Sequence, residues 1–347
     1  MEYKKIKFPQ DESAHDCIIE WWYFNGNLED KKGNKYAFMH CFFKADSSRA
    51  NIPLLTTPFK TVYFAHSLIT DIKNQKFYQF VNPISIISLD SFSHPTLFIN
   101  YANPSIKGYL NNSIENTNKN EYVLKTKELN LNFVSLKKPL LEGGKGFLEL
   151  GSDSTYYYSL TNLKTNGRIN VGGEWIELSG KSWMDHQWAD VQYKSNKWSW
   201  FSIQLENDMD IVCFEYAAVK KKQYLASVSH KDSSQKHFTK VEMTPLDYTW
   251  TSDRTNAVYP LAWEIKIPEA KISLKIKSPV KNQEVNFGMI NYWEGPIEIK
   301  AEINGKKTMG LGFMELVGYA ANYTKIKFLK NTFEESIQKL RDIEMGI

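Results

Sequence analysis

Apolar and polar residues alternate along most of this chain in short runs broken by polar turns, and a period of two is the signature of β-strands. Residues 18–28 and 36–44 are β-branched and aromatic runs, separated by a polar turn at 29–35 that carries Gly33. Strands are predicted at 61–72, 76–81, 97–101 and 106–110, and residues 129–136, LNLNFVSL, alternate as a strand with one wet face does. The Asn-rich stretch 111–120 reads as a mobile loop. Residues 156–163 and 174–188 bracket turns carrying Asn166–Gly167 and Gly172–Gly173. A second series begins at Trp198, with strands at 198–205, 211–219, 223–229, 238–245, 262–267 and 272–277. Residues 297–303 and 309–317 flank Asn304–Gly305, a dipeptide suited to a type I′ hairpin because both central positions need φ > 0.

One helix is predicted, at the C-terminus. Thr332 and Glu335 have capping-box spacing, and Phe333, Ile337 and Leu340 form one apolar stripe. Many short strands with so little helix point to an all-β protein of closed barrels or sandwiches, since closure removes exposed strand edges. At 347 residues the length suits two cores rather than one. The boundary is placed near 193–197, giving units 1–192 and 193–330, with the helix at 331–347.

Composition narrows the function. Aromatic residues make up 14% of the chain, which suits half-buried strands and aromatic-lined cavities. The formal net charge of +4 is too balanced for a nucleic-acid binder, and no basic run with interleaved aromatics occurs. Three cysteines, Cys17, Cys41 and Cys213, form neither a disulfide framework nor a metal knuckle. No stretch approaches a membrane span, and the N-terminal residues lack the apolar core of a secretory signal, so a cytoplasmic location is expected. GxSxG, HExxH and P-loop patterns are absent, so neither a metal nor another cofactor is expected.

Four segments in order carry a family resemblance: HDCIIEWWYFNG (15–26), YYYSLTNLKTNGRI (156–169), SGKSWMDHQW (179–188) and YWEGPIEI (292–299), the last leading into GLGFMELVGYA (310–320). Together they resemble the carotenoid 1,2-hydratase (hydroxyneurosporene synthase) family and its AttH-like relatives. The resemblance implies two lipocalin-like antiparallel β-barrels packed side by side, and cofactor-free hydration of an isolated isoprenoid double bond in some members. In those hydratases a His-x-Trp pair and a later Tyr-x-Asp pair are implicated in catalysis. His186 and Trp188 match the first pair, whereas equal spacing puts Cys213 and Glu215 at the second. Glu215 would replace the aspartate, with Phe214 or Tyr216 supplying the ring after a one-residue slip.

Adding water to an unactivated alkene needs a protonated acid, aromatic faces for the resulting cation, and a base for the attacking water. A buried carboxyl meets the first need because burial raises its pKa. Each desolvated ring contributes about 2 kcal/mol toward the second. The segment WMDHQW offers Asp185 on one strand face with Trp183, and His186 on the other with Trp188. A structural polar network joining the barrels is the alternative role for Asp185 and His186. Trp22 and Tyr23 are candidate cavity walls, and Glu20 of the same tetrad is a further candidate whose bland role is a bridge at the barrel rim. The four arginines, Arg49, Arg168, Arg254 and Arg341, leave a lysine or the backbone as its expected partner. Tyr292, Trp293 and Glu294 would add rings and a carboxylate from the second barrel.

Three readings follow. The first is an acid–base hydro-lyase acting on a hydrophobic, unsaturated, isoprenoid-like molecule, with Asp185 or Glu215 as proton donor and His186 positioning water. The second is a cyclase or Diels–Alderase-like pericyclase in the same cavity. The third is a carrier of a hydrophobic ligand. The oligomeric state is open.

Overall fold

The computed structural model describes residues 2–50, 60–87, 94–105, 108–151, 153–191, 197–218, 221–287 and 290–320. Strands β1 (Ile19–Asp30), β2 (Lys35–Asp46), β3 (Thr61–Asp71), β4 (Lys76–Ile87), β5 (Phe98–Ser105) and β6 (Gly108–Asn118) follow one another as antiparallel neighbours. β7 (Glu121–Lys125) and β8 (Leu129–Ser135) continue the meander, and β9 (Leu140–Leu141) and β10 (Phe147–Leu150) are short side strands. The long β11 (Asp153–Val171) and β12 (Glu174–Ala189) finish this sheet. β12 lies beside β1, and β11 pairs with both β12 and β8, so the ladder closes on itself. Closure leaves its main strands without an open edge.

The second sheet begins with β13 (Lys197–Leu205), β14 (Asp210–Ala218), β15 (Lys221–Ser229), β16 (Gln235–Phe238) and β17 (Glu242–Pro245). A separate two-stranded ladder, β18 (Thr249–Thr251) with β19 (Val258–Pro260), interrupts the series. β20 (Ala262–Ile267), β21 (Ile272–Lys277), β22 (Glu284–Phe287), β23 (Ile290–Ile303) and β24 (Lys306–Val317) complete it, with spatial order β16-β15-β14-β13-β24-β23-β21-β20-β17 and β22 on β23. The sheet curls round its own core, since Val228, Met243, Ile265 and Ile299 from distant strands share one cluster. The turn between β23 and β24 has positive φ at both Asn304 and Gly305, as a type I′ hairpin requires.

Two expectations need amendment. The Asn-rich stretch belongs to β6, where Asn112 and Ile114 are buried against the barrel and only the tip at 119–120 is a turn. Alternation, not polarity, decides a strand whose polar side chains can pair or face water. Residues 238–245 are two short strands rather than one. The predicted helix at 331–347 lies outside the described residues, among which the helical segments are three single 3₁₀ turns.

Side-chain parity produces three cores. One fills the first barrel and includes Trp22, Phe42, Tyr158 and Trp188. A second fills the curl of the other sheet. The third joins the outer faces of both, from Tyr23, Met39, Leu68 and Trp183 on one side to Trp200, Val212, Phe313 and Val317 on the other. The first barrel is also stoppered by its own N-terminal segment: Trp22 Nε1 donates to the Glu12 carbonyl at 2.9 Å, and Phe8 stands edge-on to Tyr158.

Candidate functional site

β12 carries WMDHQW with regular alternation, so the two halves of the motif separate. Asp185 and Trp183 point into the layer between the sheets, while His186 and Trp188 point into the first barrel. No bulge reunites them: β1 and β12 stay in continuous register from Ile19–Ala189 to Asp30–Leu178.

Inside the barrel the polar group is Glu20. Its carboxylate accepts from His15 Nδ1 at 2.7 Å, His186 Nε2 at 3.0 Å and Lys44 Nζ at 3.2 Å. Burial pushes Glu20 up, but the hydrogen bonds and charge of His15 and His186 outweigh it and hold the carboxyl at about 2. Burial likewise lowers His186 to about 4, against the pull of Glu20, so the ring is neutral near pH 7 and donates Nε2–H to Glu20. Trp22 stacks on His186 at 4.7 Å and His15 stacks on Trp188 at 4.0 Å. The donor atoms of His15, Glu20 and His186 lie within 4.8 Å of one another, a spacing compatible with a divalent cation. The Lys44 ammonium already neutralises Glu20, so a dication would add uncompensated buried charge. The cluster is satisfied, and it holds the barrel together.

The layer between the sheets is different. Cross-strand register sets His66, Cys41, Tyr23, Asp185 and Ser159 in one row across β3, β2, β1, β12 and β11. Facing them, Glu294, Glu315, Trp200, Phe214 and Leu225 form a row across β23, β24, β13, β14 and β15. The rows touch: Tyr23 donates a very short bond to Glu294, Tyr292 hydrogen-bonds His66, and Tyr23 stands edge-on to Trp200 at 5.5 Å. Trp200 Nε1 donates to Tyr157 at 2.9 Å, and Tyr157 donates to Asp185 at 2.7 Å.

Asp185 is 3% exposed and accepts from Ser159 at 2.6 Å, Tyr157 at 2.7 Å and Trp183 Nε1 at 2.7 Å. Burial pushes it up and these donors pull it back, to about 6. Near neutral pH it is therefore a poised carboxylate. Glu294 and Glu315 sit directly opposite each other. Burial and the Glu315 charge push Glu294 well above the carboxylate range, and burial raises Glu315 to about 7. Glu315 accepts a hydrogen bond from Trp198 and keeps part of its surface in water, so it titrates below Glu294.

A second pair of rows rims the layer with rings. Phe64, Phe43 and Trp21 are cross-strand neighbours on the barrel side, and Tyr292, Val317, Trp198 and Tyr216 on the other. Trp21, Phe43, Trp198 and Tyr216 are only partly buried, so aromatic faces reach the surface beside the carboxyls. At the β15 end of the facing row a groove of about 520 Å³ is lined by Leu148, Phe214, Leu225 and His237.

Of the expected site residues, Asp185, Trp183, Tyr23, Phe214, Tyr216, Tyr292 and Glu294 meet in this layer. His186, Trp188, Trp22 and Glu20 meet in the barrel instead. Trp293 faces the second sheet's core, donating to the Lys281 carbonyl at 2.6 Å. Glu215 requires correction. It shares the face of Ile211 and Cys213, opposite Phe214, and is ion-paired with Lys222 at 3.1 Å, so strand parity keeps it out of both clusters. Sequence reasoning missed Glu315, Glu142, Tyr157, Ser159, Trp200 and the rim residues Trp21, Phe43 and Trp198.

Residues 1–319 match the profile of a family described as AttH-like. The dehydratase asqC of Emericella nidulans is 28% identical over 201 residues, 54% of this chain and 57% of that protein. Kievitone hydratase of Fusarium solani subsp. phaseoli is 24% identical over 197 residues, 54% of this chain and 56% of that protein. These alignments therefore span little more than half of either relative. A crystal structure of a Nitrosomonas europaea protein provisionally named AttH superposes with a TM-score of 0.71 at 26% identity, over 91% of this chain and 97% of the other. The expected lipocalin-like, antiparallel all-β architecture is borne out.

Proposed function

Given that this chain belongs to the AttH-like family, we propose that it is a hydro-lyase that adds water to, or removes it from, a hydrophobic unsaturated molecule of isoprenoid character. The observation that carries this is the pair of buried acids flanking Tyr23: Glu294, bonded to its hydroxyl, and Asp185, its cross-strand neighbour, with burial raising both and the Glu315 charge raising Glu294 further. Environments that push two carboxyls apart in pKa assign one as acid and the other as base. The names of the relatives, a dehydratase and a hydratase, support the same class of reaction.

In the hydration direction Glu294 delivers its proton to the alkene. The tertiary cation lies against the faces of Trp200 and Tyr23, each contributing up to about 2 kcal/mol when water is excluded. Asp185 then takes the proton from the attacking water, Glu294 regains its proton from solvent before the next turnover, and dehydration is the reverse. The half-buried rim of Trp21, Phe43, Trp198 and Tyr216 suits an apolar substrate tail.

The test is incubation in H₂¹⁸O with a panel of prenylated aromatic alkenes and their tertiary alcohols. Label should enter the alcohol, and Asp185→Asn and Glu294→Gln should each lower turnover by about 10²–10⁴. Full activity in both variants would end this assignment. An unlabelled isomer of unchanged mass would indicate cyclisation, and ligand recovered intact would indicate a carrier.

A further inference from the structure

Glu142 belongs to the single 3₁₀ turn after β9, yet it is fully buried and aimed at the back of the carboxyl row. Its Oε1 lies 3.1 Å from Ser159 Oγ, and the same hydroxyl lies 2.6 Å from Asp185 Oδ1. A serine hydroxyl has one hydrogen to give. Asp185 is the better stabilised anion of the two, because it also accepts from Trp183, a pure donor, and from Tyr157, which itself accepts from Trp200, whereas Glu142 Oε2 has no hydrogen-bond partner. Ser159 therefore donates to the nearer Asp185, and its contact with Glu142 is a hydrogen bond only if Glu142 carries a proton and donates it. Glu142 also lies beside Ser227, whose Oγ is 3.0 Å from His237 Nδ1, and Glu142 Oε2 is buried without a hydrogen-bond partner. His237 lines the groove with Leu148, Phe214 and Leu225.

We propose that His237, Ser227, Glu142 and Ser159 form a proton path that connects Asp185 to solvent through that groove. The inference rests on Asp185 being the base. In the resting site the protons sit on Glu142 and on the Ser159 hydroxyl, with Asp185 ionised. After Asp185 has taken a proton from water, its O–H breaks and a new O–H forms on Ser159. Because the resting O–H groups of Ser159 and Glu142 point toward Asp185, both first turn outward; the former Ser159 proton then passes to Glu142, and the former Glu142 proton leaves through Ser227 to His237. Each oxygen gains one proton and loses one, so charge balances and no redox partner is needed. Burial and the Asp185 charge favour the protonated Glu142, and partial burial keeps His237 neutral and able to accept. The other titratable groups here are Tyr157 on β11 and Cys213 on β14, both pushed far up by burial and thus neutral. Glu142 and Ser159 act through Asp185 and are positioning residues.

The test needs no substrate. Infrared difference spectra of the whole protein are recorded across a pH titration, in water and in deuterium oxide, following the C=O stretch of protonated carboxylic acids. A band that disappears as pH rises through about 8 is expected. It should be absent in Glu142→Gln, retained in Asp185→Asn, displaced in its titration in Ser159→Ala and restored in Ser159→Thr. A spectrum unchanged by Glu142→Gln, or a titration indifferent to both Ser159 changes, overturns the path. Loss of hydration chemistry with this band intact would overturn the assignment of the reaction and leave the protonated Glu142 standing.

Discussion

At the scale of single residues, one strand carries two acids-and-rings assemblies with opposite outcomes. Glu20 is surrounded by donors and ionised, whereas burial raises Asp185 to about 6 and burial with the Glu315 charge raises Glu294 well above the carboxylate range. The signs follow directly. Glu20 titrates lower in the fold than in the open chain, so its contribution is complete above about 4.5 and disappears as pH falls toward about 2. Glu20→Gln should cost about 3–5 kcal/mol at pH 7, because it strands Lys44 in the interior. Urea melts should show the gap between variant and parent closing as pH drops below about 4.5. Glu142 behaves oppositely: its stabilising share is present below about 4.5 and lost as pH rises through about 8. Glu142→Gln should therefore flatten the alkaline side of the stability profile. Much of this was legible from residue type. The four arginines left Glu20 a lysine or backbone partner, and it has Lys44 and the His15 amide. Its two histidine partners were not foreseen, because a contact between residues 20 and 186 depends on β12 returning beside β1.

At the scale of strands, period two did most of the sorting. It separated Asp185 and Trp183 from His186 and Trp188 correctly, and the same rule removes Glu215 from the site. A carboxylate in an apolar strand was a sound signal applied to one position only, since Glu315 in GLGFMELVGYA carries it equally. Glu142 had no such signal: a glutamate before two glycines reads as an exposed turn, and only packing against β11, β15 and β16 buries it. Close strand approach is enforced at Gly312, where an added Cβ would lie 1.9 Å from the Ser202 carbonyl oxygen. Gly312→Ala must push β24 from β13, and β24 carries Glu315 into the layer. It should destabilise by about 1–3 kcal/mol in chemical denaturation, with m unchanged if the unfolded state is untouched.

At the scale of the molecule, two curled sheets meet through an apolar layer that is also where the unpaired acids are. Trp200 is one tie among several, which include the buried Lys137–Asp210 pair: its ring meets Tyr23 and its indole N–H holds Tyr157. Trp200→Ala should remove about 3–5 kcal/mol and, by loosening the layer, split a single thermal transition into two in calorimetry. A single transition at the parent temperature would show that the halves do not depend on this contact. The two-barrel architecture was readable because alternation, turns and four ordered motifs all agree; the meeting of the rows was not, because it joins positions such as 23 and 294 across the whole chain. Those rows have a consequence for how such a protein can change. Each strand lends each row one letter, spaced by the fixed distance between hydrogen-bonded neighbours, while the residues just before and after it in the strand face other cores. An exchange at one strand rewrites one character and leaves the rest of the line legible. A scaffold of this kind can acquire a different chemistry strand by strand without ever being refolded.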